Sequence, residues 1–112
     1  MIVVQQKSDR NKFWYDASVT DNGDGTLTFG ATTVYRHGVA YALAAYTTPN
    51  LGTDPFALYV EPTGGSVDYL LSFFDVLTDA PLPWPNGEPG VRVAWRDGVG
   101  AEIHALRSVV DA

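Results

Sequence analysis

The sequence contains no cysteine and few basic residues, and each shortage removes a class of function. Without cysteine there is no disulfide framework, no thiolate metal site and no thiol nucleophile. The seven lysines and arginines are scattered among thirteen acidic residues, which gives a net charge of −6. Nucleic-acid affinity depends on clustered basic side chains, so we expect no nucleic-acid partner.

Long apolar runs are also missing. The longest, VAYALAAY at 39–46, is far shorter than the roughly 20 residues of a bilayer-spanning helix, so we expect no membrane partner. The opening MIVVQQ is too short, and its flank too polar, for a secretory signal. What is present is a chain of 112 residues with 46% apolar and 18% charged side chains. Such a composition predicts one folded domain.

Alternation of apolar and polar residues predicts β-strands along most of the chain. The segments 13–20, 26–29, 56–61 and 91–96 alternate with a period of two. Glycine, proline and aspartate separate them at the short, regular intervals that are typical of all-β proteins.

Two hairpins are predicted from their turns. In DNGDG, at 21–25, Asn-Gly and Asp-Gly supply the positive φ that tight turns require. The segments Thr32–Arg36 and Val39–Leu43 flank His37-Gly38, a two-residue spacing that suits a primed turn. The tract VAYALAAY could form a helix by propensity alone, but the turn before it and the proline soon after it favour a strand.

Two other segments are ambiguous between strand and helix. In 67–77 the apolar residues recur at helical spacing, yet aromatic and branched side chains and the turn signals at both ends favour a strand buried on both faces. The segment AEIHALRSVV, at 101–110, fits either a strand or a short helix. Prolines recur through 81–89, which predicts an extended loop.

Together these patterns predict an all-β fold. We expect an antiparallel β-sandwich or a barrel-like jelly roll, with about seven to nine short strands and little helix. Residues 13–112 should form a single β domain with a proline-rich loop at 79–90. Residues 1–12 should form an N-terminal arm or edge segment.

The acidic turn after Thr20 poses the question of a cation site. An EF-hand loop needs oxygen ligands at positions one, three and five, glycine at six and glutamate at twelve. Counting from Asp21, positions three, five, six and twelve hold Gly, Gly, Thr and Thr, so a plain turn is favoured over an irregular site of Asp21 and Asp24. His37 and His104 lack metal-binding spacing, and no Gly-x-Ser-x-Gly elbow occurs. We therefore expect no metal, no cofactor and no enzyme activity.

Aromatic residues are the most suggestive class for function. Trp84 lies between two prolines of the predicted loop, and we expect it to be exposed as a subunit contact in preference to a sugar-stacking platform. Trp95 shares its predicted face with Val91 and Val93, so we expect it in the core. The candidate interface residues are Trp14, Pro83, Trp84, Pro85, Lys7, Arg10 and Lys12.

Three stretches resemble the small β-modules found in the tail fibres, baseplates and related virion parts of tailed bacteriophages. In order, they are NGDGTLTFGATTVYRHGVAYAL, TTPNLGTDPFALYVEPTGG and GVRVAWRDGVGAEIHALR. The matching turns and strands are 21–29, 38–41, 56–64 and 99–107. The proline-rich segment 81–89 is longer than this resemblance leads one to expect.

The resemblance implies a non-enzymatic structural component of a virion, assembled in many copies as a tail, fibre-base or capsid decoration protein. Its partners would be further copies of itself, as a homo-oligomer, and other virion proteins. It would be made in the host cytoplasm and located in the virion. A small domain without disulfides gains stability when copies cover its strand edges and apolar patches. The alternative is a carbohydrate-binding module or receptor-binding domain that takes a surface glycan.

Overall fold

The computed structural model describes residues 13–73, 82–84, 87, 90–106 and the backbone of 108–111. These residues form strands and turns and contain no helix, so the prediction of an all-β fold is confirmed. The strands are β1 Phe13–Asp16, β2 Val19–Asp21, β3 Leu27–Phe29, β4 Thr32–Arg36, β5 Val39–Leu43, β6 Tyr46–Thr47, β7 Phe56–Thr63, β8 Ser66–Phe73, β9 Val91–Arg96, β10 His104–Ala105 and β11 Ser108–Asp111.

The strands form an eight-stranded sheet and a three-stranded sheet. The order of the larger sheet is β10-β9-β7-β8-β5-β4-β1-β11, and that of the smaller is β2-β3-β6. Between β5 and β8 only the parallel pair Leu43 and Val67 is in register, so this junction divides the larger sheet into two four-stranded halves. Their apolar faces share one core, which agrees with the predicted sandwich.

Three long, bent strands build the first layer. β1 continues into β2, β3 into β4 and β5 into β6, and the same neighbours pair on both sides of each bend. At one bend Gly30 donates its backbone N–H to the Ser18 carbonyl oxygen at 2.9 Å, and a Cβ on Gly30 would meet the Ser18 hydroxyl. These breaks explain why the described residues form eleven strands where about seven to nine were expected.

Both predicted hairpins are confirmed. Asp21 pairs with Leu27 across the DNGDG turn, and β4 and β5 have the predicted bounds. Their connecting residues, His37 and Gly38, adopt φ of 51° and 78°, as a type I′ turn requires. The tract after this turn is a strand, as expected from the turn that precedes it.

The second layer is built on the hairpin of β7 and β8, two strands of eight residues. β7 extends past Pro62, where a strand end was expected. β9 pairs with β7 only as far as Val60, so at Pro62 the strand has β8 as its one described neighbour. The missing N–H of Pro62 therefore removes no ladder bond on the β9 side of β7.

β8 settles one of the two ambiguous segments as far as it is described. Ser66–Phe73 is a strand, as favoured from the sequence. The expectation that it is buried on both faces is wrong, because most of its side chains are only half buried. Residues 74–77 lie outside the described part. In the other ambiguous segment the described residues form β10 and β11 and no helix.

A β-bulge in β9 reverses the side-chain faces predicted for that strand. Leu58 pairs with Ala94 and Tyr59 with Arg92, which leaves Val93 as an extra residue. Beyond this residue the alternation is shifted by one position. The prediction that Trp95 lies in the core is therefore wrong: Trp95 is half buried on the outer face, and Arg96 points inward.

The core between the layers is rich in tyrosine. The Tyr15 and Tyr69 hydroxyls are hydrogen-bonded at 2.9 Å, and Tyr46 stacks on the Tyr69 ring at 5.7 Å between centroids. Burial raises the pKa of each of these three tyrosines above its ordinary value. The neutral phenols therefore act as packing residues, and the hydroxyls of Tyr15 and Tyr69 satisfy each other's hydrogen bonds.

Candidate functional site

A cleft of about 260 Å³ opens at one end of the sandwich, and we call it the end cleft. Its walls come from the DNGDG turn, from the loop after β6 and from the residues around the end of β9. They consist of Asp21, Gly23, Gly25, Leu27, Leu51, Gly52, Arg96 and Ile103. The lining thus combines three apolar side chains, three glycines and two opposite charges.

The acidic turn beside the end cleft is held by its own side chains. Asp21 Oδ1 accepts a hydrogen bond from the Gly23 N–H at 2.9 Å, and Asp24 Oδ1 accepts from the Thr26 N–H at 3.1 Å and the Thr26 hydroxyl at 2.6 Å. The bonds from Thr26 lower the pKa of Asp24. Both carboxylates therefore serve the turn, as the sequence favoured. No group of three or more potential metal ligands occurs among the described residues.

The loop opposite this turn is fixed to it by backbone contacts. Leu51 donates its N–H to the Gly25 carbonyl oxygen at 2.8 Å, and its side chain is buried. Asn50 Oδ1 accepts from the Gly52 N–H at 2.8 Å. Gly25 has a φ of 91°, and a Cβ there would collide with Asn50. The geometry of the end cleft is therefore set by contacts that need glycine at this position.

Arg96 brings a buried positive charge to the end cleft. Only 8% of the residue is exposed. Its Nε donates to the Ala101 carbonyl at 3.0 Å, and its Nη1 donates to the Gly52 and Asp54 carbonyls at 3.0 Å each. Among the described residues, no carboxylate forms an ion pair with it. Three carbonyl dipoles thus compensate a charge that buried arginines usually share with an acid.

A rigid loop tip lies beside the end cleft. Val99 is 77% exposed, the most exposed large apolar side chain among the described residues. The backbone around it is held on both sides, because Gly100 donates to the Thr53 carbonyl at 2.8 Å and Ala101 donates to the Gly98 carbonyl at 3.0 Å. This fixed loop presents an apolar side chain to solvent at no further conformational cost to a partner.

In the described part of the proline-rich segment, Trp84 is buried and not exposed. Trp84 is 1% exposed, and its ring meets Phe13 and Tyr41 edge-on at 5.9 and 5.7 Å between centroids. The Arg36 guanidinium lies 5.8 Å from the same ring. The expectation that Trp84 is exposed is therefore wrong. The bulky indole packs in the core between Phe13 and Tyr41.

The exposed residues of this segment are its neighbours. Leu82 is 48% exposed, and its N–H donates to the carboxylate Oε2 of the buried Glu61 at 2.7 Å. Pro83 is exposed as well. Leu82 is thus a second exposed apolar side chain whose backbone is held by a hydrogen bond.

The other candidate interface residues are not brought together by the described part of the chain. Trp14 is half buried and lies edge-on to Tyr35 at 5.8 Å. The remaining candidates lie outside the described residues; they are Lys7, Arg10, Lys12 and Pro85.

Trp95 is covered on the outer face of β9. His104 stacks on its ring at 5.2 Å, with 18° between the planes, and the Arg92 guanidinium lies 4.4 Å from the ring centroid. His104 is itself exposed. Neighbouring side chains therefore already occupy the stacking surface of this indole.

The sequence did not predict the exposure of two apolar residues, Val99 and Leu82. The tail-module resemblance includes Val99 in the matching segment 99–107, and the prolines predict only an extended loop around Leu82. The glycines on either side of Val99 were the available signal, because two glycines around one apolar residue are typical of a turn tip. No pattern in the sequence indicated that the Glu61 carboxylate would accept a hydrogen bond from the Leu82 N–H.

The described residues contain no helix long and apolar enough to cross a membrane. Comparison of the chain with protein-family models, with curated proteins and with solved structures finds no match.

Proposed function

We propose that this protein is a non-enzymatic structural component of a bacteriophage virion, a tail, fibre-base or capsid decoration protein that acts by assembling in many copies. The observation that carries the proposal is the pair of exposed apolar side chains on fixed backbone, Val99 and Leu82. Burying such residues removes apolar surface from water without ordering a loop.

The two positions lie at opposite ends of the second layer. Leu82 is bonded to Glu61, which follows Val60 near one end of β7, and Val99 follows Arg96, which pairs with Phe56 at the other end. About five residues of strand, or roughly 17 Å, separate these ends. A subunit with apolar contacts at both ends can bind a neighbour on each side, as repeated assemblies require.

The tail-appendage resemblance supports the virion assignment, and the all-β sandwich is the architecture that the resemblance implies. The acidic net charge of −6 favours solubility of free subunits before assembly. The alternative of a carbohydrate-binding module has lost its main support, because Trp84 is buried and Trp95 is covered.

Light scattering after size-exclusion chromatography tests the proposal, over protein concentrations from micromolar to millimolar. We expect the weight-average mass to rise with concentration. A glycan array run in parallel tests the alternative, a carbohydrate-binding module. A protein that stays monomeric throughout and binds an oligosaccharide would overturn the assembly proposal in favour of a binding module.

A further inference from the structure

We propose that the end cleft receives the loop 97–102 of a second copy of this chain, with Val99 against the apolar walls and a carboxylate of the loop facing Arg96. The inference rests on the proposed assembly function and names one of its contacts. Three features at one end of the molecule carry it: the loop tip, the cleft and the buried charge.

The end cleft has the size and lining for an aliphatic side chain. Its volume of about 260 Å³ far exceeds the roughly 10–15 Å³ that one water requires. Leu27, Leu51 and Ile103 supply apolar walls. The three glycines in the lining carry no side chains, so an incoming loop can approach their backbone closely.

The charges select an acidic loop as the occupant. Arg96 is buried with three carbonyl partners and has no carboxylate partner among the described residues. The loop that presents Val99 also carries Asp97 and Glu102, both exposed. Asp21 is the one acid in the cleft lining, and it is exposed, with its Oδ1 already accepting the Gly23 N–H. A carboxylate from a second copy would therefore meet a guanidinium that has carbonyl partners but no described carboxylate partner, in a partly desolvated place.

The positions of tip and cleft fit a two-fold axis. Gly100 is bonded to Thr53, the residue that follows Gly52 of the cleft lining, so tip and cleft are adjacent on one surface. In a two-fold pair, the tip of each copy can enter the cleft of the other. The same contact then occurs twice, and each substitution acts twice.

Sedimentation equilibrium of the wild type and of Val99→Ser measures this contact. Losing the burial of one valine corresponds to about tenfold in affinity, and two equivalent contacts give about a hundredfold weaker dimer. Val39→Ser is the matched control, since Val39 is 50% exposed beside the other hairpin turn. We expect this control to change the dimer constant by less than about threefold. Equal effects of the two variants would overturn the proposed contact.

A charge variant tests the role of Arg96. Asp97→Asn/Glu102→Gln should weaken dimerisation at low salt, and much of this effect should persist at about 1 M salt, because a pair formed with the buried Arg96 is screened less than exposed charges are. Unchanged dimerisation at low salt would overturn the placement of the loop against Arg96. Leu82→Ser, which alters the opposite end, should leave the dimer constant unchanged.

The absence of cysteine makes disulfide trapping specific. A Val99→Cys copy mixed with a larger, tagged Ile103→Cys copy should give a cross-linked heterodimer, whereas Val39→Cys with Ile103→Cys should not. Equal yields for the two pairs would contradict the contact. If the wild type associates but Val99→Ser matches Val39→Ser, this contact fails and multi-copy assembly stands. If the wild type never associates, both fail.

Discussion

Replacing Trp84 by alanine should destabilise the domain strongly, because the side chain belongs to the core and not to an interface. The indole is almost fully buried and makes edge-on contacts with Phe13 and Tyr41. Removing such a side chain costs about 3–5 kcal/mol, against a total stability of roughly 5–15 kcal/mol. At about 4 °C per kcal/mol for a chain of this length, the expected fall in Tm is roughly 12–20 °C.

Trp84→Phe gives a sharper form of the same test. Trp84 Nε1 is buried without a hydrogen-bond partner among the described residues. Phenylalanine keeps an aromatic ring there and removes the N–H, whose burial costs about 1–3 kcal/mol. This gain offsets part of the lost volume, so Trp84→Phe should lie within about 1.5 kcal/mol of the wild type.

Urea unfolding followed by circular dichroism measures the free energies of unfolding. Trp95→Ala serves as a control, because Trp95 is half buried on the outer face and its loss should cost only about 1–2 kcal/mol. Loss of less than about 1 kcal/mol in Trp84→Ala, together with altered subunit association, would refute the core assignment. It would restore the role predicted from the sequence.

The remaining predictions concern the turn and the tyrosines. Gly25→Ala should cost about 2–4 kcal/mol in the same unfolding assay, because φ is positive there and the new Cβ displaces Asn50. Gly23→Ala should cost only about 1–2 kcal/mol, because φ is positive but the space around it is open. Equal costs would contradict the collision with Asn50. Burial raises the pKa of Tyr15 and Tyr69, so unfolding releases protons above about pH 10, and the contribution of these tyrosines to stability should be constant below that pH and fall above it. Tyr15→Phe should make the fall of the free energy of unfolding with pH less steep, as measured by urea titrations between pH 9 and 11.5. An unchanged slope would show that Tyr15 does not contribute to the pH dependence.

Local patterns were enough to predict the hairpins. His37-Gly38 fixes its turn through two adjacent residues with positive φ, and this constraint acts within four residues of sequence. The strand assignment of Ser66–Phe73 likewise followed from its composition and flanking turns.

Features that depend on neighbouring strands could not be read from the chain. The bulge at Val93 exists because β9 pairs with β7 in two registers, and this pairing reverses the faces of Trp95 and Arg96. The segment VRVAWR alternates strictly, so its sequence does not predict the bulge. Such a one-residue shift moves every later side chain to the other face.

The end cleft and the buried Trp84 are also products of tertiary structure. A tryptophan between prolines has the sequence signature of an exposed loop, and only the space between Phe13 and Tyr41 explains why it turns inward. Arg96 enters the end cleft because the bulge turns it inward, toward carbonyls more than forty residues away in sequence.

Sedimentation velocity of the wild type and of Leu82→Ser/Val99→Ser tests most directly whether the exposed apolar positions drive assembly. We expect species larger than one chain for the wild type, increasing with concentration, and a single monomeric species for the double variant at every concentration. A monomeric wild type, or a double variant that associates as the wild type does, would contradict the account.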